Sequence, residues 1–171
     1  MQALGQVWGG LDPRARDYRE TAKPLSAPTL HGAQTILKAW REAKDGFVVG
    51  RDIPSRPLSS VLRNLGLLEP LDRARDFRVR LAGTALLRRF GRDIKGATLS
   101  ELYTQGAFER RRKWLTEAID GERPVIHALT MQQGDGRPLS FERVYLPVLA
   151  PDRAAHWVLA GYFYYEDWPS C

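Results

Sequence analysis

Arg111 is placed where a charge is expensive. Treating residues 107–120, AFERRRKWLTEAID, as a helix and rotating 100° per residue gathers Ala107, Phe108, Trp114, Leu115, Ala118 and Ile119 into one arc. Arg111 falls in the middle of that arc and Arg112 at its edge. Arg110, Lys113 and Glu117 fall outside it. A guanidinium on an apolar face is costly unless paired. Arg111 therefore holds a carboxylate or phosphate, pairs with a carboxylate of its own chain, or snorkels to water from the helix start. His127 raises a related question, because Val125, His127, Leu129 and Met131 share one face of a strand. If that face is inward, His127 either hydrogen-bonds a ligand and titrates near neutrality or is a satisfied core or rim histidine.

Other arrangements carry less chemistry. GRDIKGAT spaces Gly91 and Gly96 like a phosphate loop, but Ala97 stands where the lysine belongs. It reads as a crossover turn. There is no G-x-S-x-G elbow, no H-E-x-x-H and no cysteine pair, and His31, His127 and His156 lack metal-ligand spacing. An enzyme has no residue set to stand on here. The net charge is +6, and arginine supplies 21 of the 26 basic residues. Such a surface suits phosphates, carboxylates and nucleic acid. The 20 acidic residues are dispersed among the basic ones, however, and no helix-turn-helix or RNA-binding signature accompanies the ERRRK run. The reading against nucleic acid is a solvated helix face. The single cysteine, Cys171, fits a reducing compartment. No apolar run approaches the roughly 18 residues of a membrane span, and the N-terminus lacks a signal-peptide pattern. A cytoplasmic protein without membrane contact is expected.

The elements that position these residues follow from periodicity. Residues 1–30 carry Gly5, Gly9, Gly10, Pro13, Pro24 and Pro28 and read as a loosely held arm and linker, with a short helix at PRARDYRE. AQTILKAWREAK is an amphipathic helix with Ile36, Trp40, Ala43 and Phe47 on one face. A proline-broken connection and a helical turn at SSVLRNLG lead to two strands, LGLLEPL and DFRVRLAG. TALLRRFG is a short helix with Thr84 at its N-terminus and Gly91 at its stop. A further helical turn is boxed by Thr98 and Glu101. The longer helix at 107–120 follows. Three strands close the chain: PVIHALTMQQ, PLSFERVYLPVLA and HWVLAGYFYYE, the first two joined by a GDG turn. The last strand is apolar on both faces, so both are expected to be covered. The helix around Ile36 and Trp40, or a second subunit, would cover the outer one. The predicted architecture is α+β, with five antiparallel strands, short crossover helices and one longer helix on one face, and an N-terminal amphipathic helix.

That order resembles the PAS fold, and the residues narrow it further. Trp40-Arg41, DIPSRPL, FRVRLAGTALLRRFGRDIKG and LPVL resemble an alphaproteobacterial family of single-PAS-domain proteins once classed as a domain of unknown function. The string from Arg80 to Gly96 is the most specific part, and the likeness covers about residues 33–165. The Asp-Pro pair usual after the Pro-x-Arg element is missing from PSRPLSSVL. The resemblance implies a sensory or protein-interaction module without catalysis of its own. It implies a domain over 31–166, flanked by the arm at 1–30 and a tail at 167–171, with any signal leaving through a partner. In that fold the inner face of the long helix borders a ligand cavity. Arg111, Trp114, Phe90, Leu87 and His127 are then expected to line it. Ile36, Trp40, Ala43, Tyr162 and Tyr164 are expected on a homodimer or flanking-helix face. Haem-binding PAS domains use a histidine on the long helix, which residues 107–120 lack. Flavin photosensors need a cysteine in the crossover helices, and the only cysteine is Cys171. Neither cofactor is implied, and the ligand is left open: an unknown small molecule, a protein partner, or a core packed shut for interaction alone.

Overall fold

A computed structural model of the chain describes residues 20–132 and 138–165. Among them one antiparallel sheet runs in the order β1-β4-β5-β6-β2-β3. Its strands are β1 (Glu20–Pro24), β2 (Leu65–Leu71), β3 (Asp76–Ala82), β4 (Val125–Gln132), β5 (Pro138–Leu149) and β6 (His156–Tyr164). The helices are α1 (His31–Glu42), α2 (Thr84–Phe90), α3 (Leu99–Leu102) and α4 (Gln105–Gly121). The sheet thus has six strands and not five. The added one, β1, lies inside the segment expected to be a loose arm, and it pairs with β4 from Glu20↔Met131 to Pro24↔His127. ETAKP has no apolar alternation to announce it. Its edge position needs only backbone pairing and one buried side chain. The short helix expected at PRARDYRE lies outside the described residues except for Glu20, which opens β1. The GDG turn and the 167–171 tail also lie outside them, but the strands that GDG joins pair up to Gln132↔Pro138.

Both faces of the sheet are covered. On one, Ala33, Ile36 and Leu37 of α1 pack on Leu65, Leu67, Val144, Leu146 and Leu159. Trp40 Nε1 donates to the Pro147 carbonyl at 2.6 Å, so α1 itself caps the outer face. Its start lacks a side-chain cap of its own. Glu142, from the middle of β5, accepts from the Thr29 and Leu30 amides at 2.8 and 3.0 Å instead. The Leu30 amide is an orphan donor of the helix entry and Thr29 directly precedes it, an end that a carboxylate suits. On the other face, Phe108, Leu115 and Ala118 of α4 and Leu99 and Leu102 of α3 pack on Phe77, Val79, Tyr145 and Val158. The crossover uses the punctuation expected of it. Gly91 ends α2 in the left-handed region at φ 67°, and Thr98 and Glu101 form the capping box of α3. Thr84 is the first helical residue of α2, and the cap position falls to Gly83.

Candidate functional site

The long helix delivers Arg111 where the helical rotation puts it. Arg111 is 2 % exposed, while Arg110, Lys113 and Glu117 face solvent and Arg112 is intermediate. Of the fates open to Arg111, the structure shows pairing within the chain. Its Nη2 donates to Glu20 Oε2 of β1 at 2.7 Å, and its Nη1 donates to the Ala107 carbonyl at 3.1 Å. Its guanidinium lies 4.3 Å from the centre of the Tyr103 ring.

Two further arginines enter the same layer. Arg143, on β5 directly across from His127 on β4, is 1 % exposed. Its guanidinium is stacked between Trp114 at 4.3 Å and Tyr145 at 4.6 Å, a favourable cation–π arrangement. Its Nη1 stops 3.9 Å from Glu20 Oε1. Arg89, from α2, is buried with Nη2 3.4 Å from the Met131 sulfur and its guanidinium 5.3 Å from the Phe141 ring. At the centre, Arg143 Nε and Nη2, Glu20 Oε1 and His127 Nδ1 are buried without a hydrogen-bond partner among the described residues.

The expected cavity residues divide. Arg111, Trp114 and His127 come together, the Trp114 and His127 rings 4.8 Å apart. Phe90 reaches the cluster through Tyr103, its ring 5.9 Å away edge-on. Phe90, Tyr103 and Tyr162 also line an apolar cavity of about 20 Å³ between α2, α3 and the sheet. Leu87 packs against the same core layer but is not part of that lining. The five residues expected on a dimer or flanking face are not brought together. Ile36 is fully buried within its own chain, and Trp40 and Ala43 pack beside it. Tyr162 and Tyr164 lie on the opposite face of the sheet with Phe141. Alternation along β6 separates two faces, and α1 takes the one carrying Leu159, Gly161 and Phe163.

Protonation follows from this packing. Burial works against the charged form of Glu20, but Arg111, Arg143 and the hydrogen bond from Arg111 overcome it and hold the carboxyl below its usual range. Burial, with Arg143 adding to it and Glu20 opposing, pushes His127 from its ordinary 6.5 to about 4. Burial, together with the neighbouring Tyr145 and Tyr103 phenols, pushes the Tyr162 phenol well up, so it keeps its proton.

These shifts make the fold acid-sensitive. An unfolded histidine takes its proton near 6.5 and His127 in the fold only near 4, so in between the unfolded chain binds more protons. Stability is therefore full above pH 6.5 and declines by about 3 kcal/mol as pH falls to about 4. Glu20 adds a loss lower still, as pH falls through its depressed value. Urea midpoints measured across that window should fall for the wild type and flatten for His127→Gln. A level wild-type profile would mean that His127 is not held neutral.

Arg143, Arg89 and Glu20 were not reached from the sequence, although Arg143 had a readable signal. Leu139, Phe141, Arg143 and Tyr145 alternate along one face of β5, a lone cation on an apolar face of the kind that singled out Arg111. Among the described residues no group of His, Cys, Asp or Glu side chains is placed to hold a metal ion, and no helix is long and apolar enough to cross a membrane.

An antiparallel sheet with helical crossovers between its second and third strands and its closing meander, packed around a buried polar centre, defines a PAS-type module. The sequence profile of the PAS domain family matches residues 29–162, and the chain belongs to that family. A search of curated proteins finds no match.

Proposed function

We propose that the chain is a sensory PAS module that binds a small molecule at the α4–sheet interface and passes the signal to a partner protein, without catalysis of its own. One observation carries the reading. Arg143 is 1 % exposed, yet Nε and Nη2, the donors on one edge of its guanidinium, have no partner among the described residues. A buried guanidinium normally has its donors satisfied. An open edge stacked between two aromatic rings is suited to a ligand held by hydrogen bonds and apolar contact together. Binding would act by favouring one arrangement of the helices and β1 over another.

The small cavity favours a second reading, a packed-core interaction module. About 20 Å³ is room for one water and no organic ligand without rearrangement. Native mass spectrometry of freshly purified protein, followed by denaturing extraction, separates the two and reports the oligomeric state. A retained small molecule of defined mass is expected. Bare protein, together with no stabilisation by any member of a metabolite panel, would leave the interaction module as the reading.

A further inference from the structure

Glu20 satisfies the arginine cluster poorly. It reaches Arg111 at 2.7 Å, but its other oxygen is buried without a hydrogen bond and lies 3.9 Å from Arg143. The open edge of Arg143, Nε with Nη2, is the fork that accepts a carboxylate through two parallel bonds. Glu20 is tethered to β1, and from there it engages one arginine and falls short of the other. A free carboxylate has no such tether. It cannot simply join Glu20, because two carboxylates in one buried site repel. It can replace it. The strand that would yield is short, five residues at the sheet edge, paired among the described residues only with β4. The neighbouring space describes the rest of the ligand. Tyr103, beside Arg111, and Tyr162, beside Arg89, also line the apolar cavity with Leu86, Phe90 and Leu102. These two tyrosines therefore stand between the polar centre and the apolar pocket and border both.

We propose that this site takes a small monocarboxylic acid with an apolar body, and that Glu20 holds the carboxylate's place until the acid displaces it and frees β1 from β4. The proposal rests on the reading of the chain as a small-molecule sensor. It makes β1 the part that changes on binding.

Calorimetric titration of the full chain with butyrate, hexanoate and phenylacetate tests it, with hexanamide, phenylacetamide and inorganic phosphate as controls. At least one of the acids with an apolar body should bind while the amides and phosphate do not. Glu20→Gln, which keeps the shape and removes the competing charge, should bind about tenfold tighter. Arg143→Met should abolish binding. Should Glu20→Gln fail to fold, hydrogen exchange on the wild type decides: β1 amides should exchange faster with acid bound. No binding of any acid to either protein would overturn the proposal, as would binding of phosphate alone. So would acid binding that leaves β1 exchange unchanged. If native mass spectrometry shows a retained neutral molecule while no acid binds, this inference fails and the sensor reading stands.

Discussion

Arg111→Met should cost about 3–5 kcal/mol of stability, whereas the same change at Arg143, equally buried, should leave stability within about 1 kcal/mol. The difference lies in what each removal strands. Without Arg111, Glu20 loses its one side-chain hydrogen bond among the described residues and remains a buried carboxylate. Its nearest remaining cation is then Arg143, at 3.9 Å. Without Arg143, Glu20 keeps its 2.7 Å partner. The fold loses two ring contacts, worth about 2 kcal/mol each when desolvated. It also sheds a buried guanidinium with two unsatisfied donors, each costing about 1–3 kcal/mol. Methionine fills the gap between Trp114 and Tyr145 with a flexible thioether that suits aromatic neighbours. Urea denaturation of the two variants measures the contrast. Equal large losses would make Arg143 a structural counter-ion of Glu20 and remove the main support for a ligand. A neutral or stabilising Arg143→Met that also loses ligand binding is what a residue retained for function at the expense of stability should show.

The contrast also shows which residues the sequence could reveal. Arg111 was legible because a helical period applied over fourteen residues averages out local noise. The strands at 65–71 and 76–82 were legible because alternation and turn residues agree about their ends. Arg143 required the same test at a period of two along β5. Glu20 offered no local signal. Its meaning comes from pairing with Met131, more than a hundred residues away, and from facing a helix whose inward arginine needs a counter-ion. Long-range pairing of an edge strand without an apolar stripe leaves nothing in its own residues to read.

The faces of β6 show a different failure. Both are apolar, so alternation alone cannot say which one α1 covers, and the expectation that joins Tyr162 and Tyr164 to Ile36 and Trp40 takes the wrong one. Gly161 held the answer. A Cβ there would meet Ile36 Cδ1 at 2.6 Å and the Phe163 ring at 2.7 Å. The helix therefore approaches the glycine face, and the tyrosines go to the opposite one, beside Phe141. In this strand a glycine marks where another element comes close.

Gly83→Ala is expected to be the most damaging single methyl in the crossover, costing about 4 kcal/mol or more. Gly91→Ala, eight residues on, should cost about 1 kcal/mol. Glycine is required at the two positions for different reasons. Gly91 sits at φ 67° with open space where a Cβ would go, so alanine there meets only backbone strain. Gly83 has an ordinary extended backbone, φ −68° and ψ 161°, and strain is not its constraint. A Cβ at Gly83 would collide with the backbone carbonyls of Leu62 and Arg63. These belong to a 3₁₀ turn immediately before β2 and cannot rotate aside as a side chain can. Nor can Gly83 retreat. Its amide donates to the Leu65 carbonyl at 2.8 Å, and its own carbonyl accepts from the Leu86 and Leu87 amides at 2.9 and 3.1 Å, the first turn of α2. Shifting the chain to admit the methyl breaks the junction between β2, β3 and α2. It also tilts the helix that carries Arg89 into the polar centre. Denaturation midpoints of the two alanine variants test this, with circular dichroism to show whether Gly83→Ala folds at all. A Gly83→Ala protein as stable as Gly91→Ala would mean that the turn before β2 can move away from β3. The packing that holds α2 over the site would then be looser than these contacts require.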